Sequence, residues 1–289
     1  MKILLTGGTG FIGSQLVKEL VLSGHELIIL SRNKHENKNS ITFIPWESEI
    51  LKQAVNSVDV VINLAGESIV KRWTEEQKEL VYKSRIETTG LIVRAINSST
   101  KKPKKLINAS AIGFYGNRND EILTEDSNVG SGFLANTCRD WENEAKKANT
   151  EVVLLRVGLV LGKEGGALKK MLLPFKMGIG GPLGSGNQYM SWISLHDMVS
   201  LIKFAAENEK VAGILNATSP NPVTNKEFSN ILGKVFNRPA FMPVPDIALK
   251  MLFGEMASLL LEGQRVMPKR ALEYGFQFKY PALEDTLRV

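Results

Sequence analysis

The chain has 289 residues, of which 43% are hydrophobic and 23% charged, a balance typical of globular proteins rather than of disordered or membrane-spanning ones. The net charge of +6 does not indicate nucleic-acid binding, because the basic residues are interspersed with carboxylates. The one compact basic run, from Lys101 to Lys105, contains no aromatic residue and is typical of a loop between a helix and a strand.

Apolar segments of two alternating kinds predict an α/β fold. The run Lys2–Thr6 stops at glycines and predicts a strand, and helically spaced apolar residues from Phe11 to Leu22 predict a helix after a tight turn. Such alternation predicts a doubly wound parallel Rossmann sheet. Further strands are predicted at Leu27–Leu30, Val58–Leu64, Lys105–Ser110 and Glu151–Val157, and further helices around Thr74–Ile96 and Ala135–Ala148.

The pattern changes after Gly162. The segment Gly178–Gly186 predicts a glycine-rich loop, whereas the later run through Ala217 predicts a strand, a helix and another strand that return to the sheet. From Asn225 onward the pattern is mostly helical. We therefore predict a Rossmann domain over residues 1–165 with returning elements at about 190–220, and a smaller, mostly helical lobe over residues 166–289.

Three glycines, Gly7, Gly10 and Gly13, stand at the junction of the first strand and the first helix. Glycine at such spacing allows a tight turn and a close approach of a pyrophosphate to the backbone, and the helix N-terminus then faces the phosphates. The junction predicts a dinucleotide site. Its predicted contacts are Gly7, Thr9, Gly10, Phe11, Ile12 and Gly13.

The end of the second strand predicts which cofactor binds. An acidic residue there would bind the ribose 2′-hydroxyl, but this chain has Ser31 and Arg32, whose hydroxyl and guanidinium suit a 2′-phosphate. The sequence therefore favours NADP over NAD. Small residues at the end of the third strand allow a further cofactor contact, predicted at Asn63, Leu64, Ala65 and Gly66.

Several motifs in order along the chain resemble the extended short-chain dehydrogenases/reductases: TGGTGFIG, NLAG, SAIGFYG, RVGLVLG and WISLHD. RWTEEQK, SRIETT, FLANTCRDWE and the C-terminal GQRVMPKRALEYGFQF resemble an atypical, epimerase-like NADP-binding subfamily with a C-terminal domain of unknown function. Some of its members carry the description of cell-division inhibitors. The resemblance implies the fold and the cofactor and leaves the activity open.

The resemblance also implies a catalytic tyrosine, a lysine four residues later and a serine or threonine. In FLANTCRDWE, Leu134 stands where the tyrosine is expected and Cys138 where the lysine is expected, and neither can exchange the proton or supply the charge. The nearest hydroxyls are Ser110 and Tyr115. Each is predicted either to face the substrate or to form a hydrogen bond at a strand end.

Charged and aromatic side chains near the predicted cleft are the remaining candidates. Arg85 could stabilise negative charge on the substrate, and Glu67 follows directly on the NLAG motif. Arg156 occupies a position where relatives contact substrate, and Trp192 could offer a stacking face to a ring of the substrate, although a buried core position is the favoured alternative. A buried, unreactive thiol is favoured for Cys138 over a nucleophile.

The favoured hypothesis is an NADP-dependent oxidoreductase or epimerase-like enzyme that acts on a small molecule without the usual tyrosine and lysine. The alternative is a cofactor-binding regulator or interaction protein without hydride chemistry, in cell division for example. The single cysteine and three scattered histidines predict neither a disulfide nor a metal site. A cytoplasmic location is the expectation, and homodimerisation is left open.

Overall fold

A parallel sheet of seven strands forms the centre of the fold. The computed structural model describes residues 1–38, 40–163 and 165–288. The order of the strands across the sheet is β3, β2, β1, β4, β5, β7, β11. These strands are β1 (Lys2–Thr6), β2 (Glu26–Leu30), β3 (Ile41–Ile44), β4 (Val60–Asn63), β5 (Lys105–Ala111), β7 (Glu151–Val157) and β11 (Gly213–Ala217).

Helices cover both faces of this sheet, as a doubly wound fold requires. Neighbouring residues of β1 show the alternation, because Ile3 and Leu5 belong to one hydrophobic cluster and Leu4 to the other. The predicted fold class is therefore confirmed. The helices of this part are α1 (Phe11–Leu22), α2 (Ser48–Val55), α3 (Glu75–Ser98), α4 (Phe133–Ala145) and α6 (Leu195–Glu207).

A smaller region of short helices and strand pairs is formed mainly by residues after β7. Its own core contains Trp192, Phe228 and Leu287. The helices are α5 (Gly166–Lys176), α7 (Asn225–Phe236), α8 (Asp246–Phe253), α9 (Ser258–Leu261), α10 (Lys269–Glu273) and α11 (Leu283–Arg288). The strand pairs are β6 (Ile122–Leu123) with β13 (Arg265–Val266), β8 (Leu159–Gly162) with β10 (Trp192–Ser194), and β9 (Tyr189–Met190) with β12 (Val223–Thr224).

The order of the strands indicates where a ligand crevice is expected in this sheet. Successive strands run outward from β1 to β3 on one side and from β4 to β11 on the other, so the connections diverge at the β1–β4 boundary. Ligands of such sheets bind outside the carboxyl ends of the strands at this switch point. The segments that follow β1, β2, β4, β5 and β7 are consequently the ones that can form a site.

The basic run Lys101–Lys105 has a structural role at its last residue. Lys105 is buried, and its Nζ donates to the carbonyl oxygens of Ala205 (2.9 Å) and Asn208 (2.8 Å) at the end of α6. A lysine is favourable there because the last carbonyls of a helix lack partners. Within the described part of the chain, no helix is both long and apolar enough to cross a membrane.

Candidate cofactor and substrate site

The turn between β1 and α1 is so tight that Gly7 and Gly13 must be glycines. Gly7 has φ +70°, and a Cβ there would lie 2.8 Å from the carbonyl oxygen of Leu64. A Cβ on Gly13 would overlap the carbonyl oxygen of Gly7. The amide of Gly10 donates to that same oxygen at 3.0 Å and closes the turn. The first turn of the helix is thereby pressed against the end of the strand.

The N-terminus of α1 is open to an anion. Its N-cap, Gly10, has no side chain to accept from the helix amides, and the first turn contains no acidic residue. Thr9 and Gly10 are exposed, while Phe11 and Ile12 are half-buried. Because the first amides of a helix have no partner within it, these groups can bind phosphate oxygens.

Asn63 supports the crevice from inside the fold and does not itself face it. The side chain is fully buried, accepts from Thr6 Oγ1 at 2.6 Å, and donates to Asn108 Oδ1 (2.6 Å) and Thr89 Oγ1 (3.0 Å). Thr6 Oγ1 in turn accepts from the amide of Ala65 at 3.2 Å. A direct cofactor contact by the Asn63 side chain does not fit this position, because its polar atoms are used to fix the ends of β1, β4 and β5.

Leu64, Ala65 and Gly66 leave the sheet beside the glycine turn. Leu64 and Ala65 are half-buried and Gly66 is exposed, so their backbone borders the crevice. The close packing of Gly7 against Leu64 brings the two predicted cofactor segments into contact.

Arg32 is an exposed cation at the end of β2. It forms no ion pair with any carboxylate of the described residues, and the Oγ of the neighbouring Ser31 accepts from the amide of Asn33 at 3.1 Å. Glu67 lies within electrostatic reach, since a hydrogen bond from Lys71 and, more weakly, the charge of Arg32 lower its pKa. Residues 31–33, which follow β2, therefore offer a hydroxyl and a guanidinium and include no carboxylate of their own.

Arg85 reaches from α3 into the same region. Its Nη1 donates to the carbonyl oxygens of Glu67 (3.1 Å) and Val81 (3.0 Å), and its Cζ lies 5.1 Å from the centre of the Trp141 ring. A Cβ on Gly66 would lie 3.3 Å from that Cζ. Burial lowers the pKa of Arg85, which has no carboxylate hydrogen-bond partner in the described chain. Its Nε and Nη2 have no hydrogen-bond partner among the described residues.

Leu134 and Cys138 face the end of β5 from the first turns of α4. A Cβ on Gly113 would lie 3.3 Å from Leu134 Cβ and 3.9 Å from Cys138 Sγ. Cys138 is 5% exposed, and burial raises the pKa of its thiol to about 11. The thiol is therefore neutral near pH 7, as the sequence favoured. The nearby positive charge of Arg85 lowers the pKa of this thiol, but burial outweighs that effect.

Ser110 and Tyr115 belong to a buried polar network. Ser110 Oγ donates to Glu142 Oε1 at 2.8 Å, and the hydroxyl of Tyr115 donates to Asn216 Oδ1 at 2.7 Å and accepts from Arg156 Nη1 at 2.9 Å. Ser110 is 3% exposed and Tyr115 is fully buried. A substrate-facing role does not fit either hydroxyl, because each is bonded inside the fold. Of the two roles left open by the sequence, the structure supports the strand-end hydrogen bond.

Arg156 and Trp192, two of the predicted substrate contacts, also lie in the interior. Arg156 is 2% exposed and is enclosed by Glu142 and the ring of Phe114. Trp192 is fully buried in the core of the smaller region, and its Nε1 donates to the carbonyl oxygen of Asn221 at 3.1 Å. Neither offers a free face to a ligand, so the predicted substrate contact of Arg156 is corrected to a structural position, and Trp192 takes the buried core position that the sequence left open.

Glu67, the third predicted substrate contact, does border the crevice. Its side chain is 27% exposed and its Oε1 lies 2.7 Å from Lys71 Nζ. Its loop is held over the N-terminus of α4, where Trp73 packs edge-on against Phe133 at 5.5 Å. Among the described residues, no three of the His, Cys, Asp and Glu side chains come close enough together to hold a metal ion.

The model of the NAD dependent epimerase/dehydratase family matches residues 3–217, which is most of the chain. This chain belongs to that family. A second model, described as a domain of unknown function (DUF1731), matches residues 244–289. Both matches confirm the resemblance drawn from the motifs.

Relatives of this family member match it over its whole length. The epimerase family protein SDR39U1 homolog, chloroplastic, of Arabidopsis thaliana is 44% identical. The match covers 100% of this chain and 86% of that protein. The crystal structure of human epimerase family protein SDR39U1 (isoform2) with NADPH has a TM-score of 0.93 at 38% identity, covering 100% of this chain and 98% of that one. The crystal structure of a nucleoside-diphosphate sugar epimerase from Corynebacterium glutamicum has a TM-score of 0.80 at 31% identity. The match covers 99% of this chain and 57% of that one.

Sequence reasoning missed residues of the site in this epimerase-family protein. These are Glu142 and Asn216, which complete the buried network. One signal was present in the sequence for Glu142: an arginine at the end of a buried strand requires a carboxylate partner.

Proposed function

We propose that the protein binds NADP(H) across the glycine turn, with the 2′-phosphate at Ser31 and Arg32. The open N-terminus of α1 and the unpaired Arg32 support this proposal. The human relative with NADPH supports the choice of cofactor. Backbone groups of residues 7–13 and 64–66 would hold the pyrophosphate and riboses, and bound NADPH would supply hydride.

We further propose an oxidoreductase or epimerase-like reaction on a small molecule without the tyrosine and lysine pair. The observation that carries this proposal is the position of Arg85, beside Gly66 and within electrostatic reach of Cys138. The guanidinium brings a positive charge from α3 to the region where the family's lysine is missing. Such a charge can hold the nicotinamide ribose or stabilise an oxyanion that develops on the substrate.

Glu67 would complete the substrate side of this site. The hydrogen bond from Lys71 lowers the pKa of its carboxyl group, so Glu67 is ionised near neutral pH and accepts rather than donates hydrogen bonds. We propose that it binds a hydroxyl group of the substrate at the mouth of the crevice.

A regulator that binds the cofactor without hydride chemistry is the second candidate. It is favoured by exposed apolar side chains in the C-terminal region, of which Ile247 and Met251 lie one turn apart on the same face of α8. Phe241, Ile247, Met251 and Leu252 are 74%, 70%, 74% and 68% exposed. A face of this kind suits a partner protein.

Cofactor titration tests the binding proposal. We expect NADPH to bind the wild-type protein at least about tenfold more tightly than NADH, and Arg32→Gln to abolish this preference by weakening NADPH alone. Arg238→Gln, which removes an exposed arginine far along the chain, is the control. Equal affinities of the wild-type protein for NADPH and NADH would overturn the role of Arg32.

Oxidation of NADPH by a panel of aldehydes, ketones and 2-oxo acids separates the two candidates. The enzyme proposal expects turnover that falls about 100-fold in Arg85→Gln and persists in Arg94→Gln, a change of an exposed arginine on the same helix. Tight NADPH binding without oxidation by any compound would favour the regulator.

A further inference from the structure

Arg265 is a half-buried arginine without a carboxylate partner among the described residues. Its Nε is fully buried and has no hydrogen-bond partner in the described part of the chain, and its Cζ lies 4.9 Å from the centre of the Tyr189 ring. Buried donors without a partner are rare in proteins and indicate a water or a ligand. Arg156 differs from Arg265, because two nitrogens of its buried guanidinium donate hydrogen bonds to the carboxylate of Glu142.

The backbone around Arg265 is fixed on both sides. Ser191 Oγ donates to the carbonyl oxygen of Gln264 at 2.6 Å and accepts from the amide of Val266 at 2.8 Å. Gly263 is packed so closely that a Cβ would lie 2.5 Å from the nitrogen and oxygen of Tyr189. A side chain on such a backbone is preorganised, so a ligand would order little of the chain on binding.

This segment lies beside the carboxyl end of β7. The carbonyl oxygen of Ser191 accepts from the amide of Leu159 at 2.9 Å, and a Cβ on Gly158 would overlap that oxygen. Gly158 directly follows β7. Arg265 is therefore at the edge of the sheet where ligands of these folds bind.

The strand order places Arg265 at the far end of the crevice from Arg32. Arg32 follows β2 on one side of the switch point, whereas β7 lies two strands beyond β4 on the other side. A dinucleotide with its 2′-phosphate at Arg32 would extend from β2 past β1 towards β5. Arg265 then lies beyond its nicotinamide end, on the substrate side.

The side chain also faces away from the core. Val266 is fully buried with Tyr115 and Leu123, and adjacent residues of a strand point to opposite sides. The residue that pairs with Arg265 in β6 is Ile122, which is 56% exposed. A solute can thus approach this side of the strand pair.

We propose that Arg265 binds an oxyanion of the substrate, a carboxylate or a phosphate. A planar guanidinium supported on an aromatic ring matches such groups through paired N–H donors. The C-terminal domain of unknown function would thereby supply the anion specificity of the crevice. The anion site follows from the geometry of Arg265, and only its assignment to the substrate rests on the function proposed above.

The test uses 15N-labelled protein saturated with NADPH, so that the cofactor site is filled. The Nε–H signal of Arg265 is assigned by its loss in Arg265→Met and followed during titration with sodium acetate or inorganic phosphate at constant ionic strength. We expect a saturable shift with at least one anion, and the two probes separate a carboxylate site from a phosphate site. Acetamide, a neutral analogue, should cause no shift.

Calorimetric titration of the variants with the same anions completes the test. We expect Arg265→Met to weaken anion binding about tenfold or more and Arg265→Lys, the second variant in case the first does not fold, to weaken it less. Arg238→Met should bind like the wild-type protein. Three results would overturn the proposal: unchanged anion binding in both Arg265 variants, loss of anion binding in Arg238→Met, or no anion binding by the wild-type protein. NADPH affinity is measured on each sample, because failure to bind NADPH would instead overturn the cofactor proposal.

Discussion

Arg156 and Glu142 form a bidentate ion pair in the interior, with Nε 2.8 Å from Oε1 and Nη2 2.9 Å from Oε2. The two residues are 2% and 1% exposed. The pair joins the end of β7 to α4, the two elements that flank the far half of the crevice. Ser110 and Tyr115 are bonded to the same two groups, so one charge pair holds the ends of β5 and β7 and the helix in position.

We expect Glu142→Gln to lower the free energy of unfolding by about 3 to 5 kcal/mol, because the charge of Arg156 stays buried without a counter-charge. Urea denaturation followed by circular dichroism measures the change. Glu79→Gln is the control, since it breaks an exposed pair with Lys83 and should cost less than about 1 kcal/mol. If both variants lose the same unfolding free energy, the buried pair contributes no more to stability than the exposed pair.

Tyr115→Phe should reduce stability and leave cofactor binding intact. The change removes hydrogen bonds with Asn216 and Arg156, and we expect a loss of about 1 to 2 kcal/mol in the free energy of unfolding with an unchanged Kd for NADPH. Tyr82→Phe, at an exposed hydroxyl, should change neither quantity. A Tyr115→Phe protein that is fully stable yet unable to oxidise NADPH would restore the catalytic role predicted from the sequence.

The sequence predicted most of the sheet because its central strands are continuous apolar runs bounded by turn residues. It did not predict β3 or α2. The strand Ile41–Ile44 has four residues at the edge of the sheet, with none of them fully buried, and α2 has only eight residues. Such short elements depend on packing against their neighbours, and a local pattern does not record that packing.

The glycine turn was predictable because its constraints are local in the sequence. The conformation of Gly7 and the contact between Gly13 and Gly7 are constraints between residues a few positions apart. The side-chain roles of Ser110 and Tyr115 depend on partners 32 and 101 positions away along the chain. A motif shows that a hydroxyl is present at a strand end, but the direction in which it points is decided by those distant partners.

Two glycine substitutions in the turn should have different effects. Gly10 has φ −80°, which any residue adopts, but its Cβ would lie 3.2 Å from the carbonyl oxygen of Gly7, a tight contact that needs a small shift of the backbone. We expect Gly10→Ala to cost little stability while weakening NADPH binding about tenfold or more, since the methyl group would enter the proposed place of the pyrophosphate. Gly13→Ala should destabilise the fold itself, because its Cβ would overlap Gly7.

Urea denaturation and NADPH titration of both variants check this difference. Ser14→Ala, on the exposed side of the first helical turn, is the control and should match the wild-type protein in both measurements. Unchanged NADPH affinity in Gly10→Ala would mean that no phosphate approaches this amide, and the cofactor site would have to lie elsewhere.

The buried thiol of Cys138 should make stability fall with rising pH. Burial raises its pKa to about 11, whereas a thiol in an unfolded chain titrates at about 8.5. The contribution of this group is fully present below the lower value and is lost as pH rises through the higher one, because the unfolded chain then binds fewer protons than the native chain. The loss amounts to roughly 3 kcal/mol at pH 11.

Wild-type protein and Cys138→Ala, compared between about pH 8 and about pH 10.5, isolate this effect from the titration of lysines, which both share. We expect the unfolding free energy of the wild-type protein to fall by roughly 2 kcal/mol more than that of the variant. The thiol should also react with a disulfide reagent much faster in urea than in the native state, because only an accessible thiolate attacks. Equal reaction rates in the two states would mean that the thiol is ionised and accessible beside Arg85, and a nucleophilic role for Cys138 would then have to be considered again.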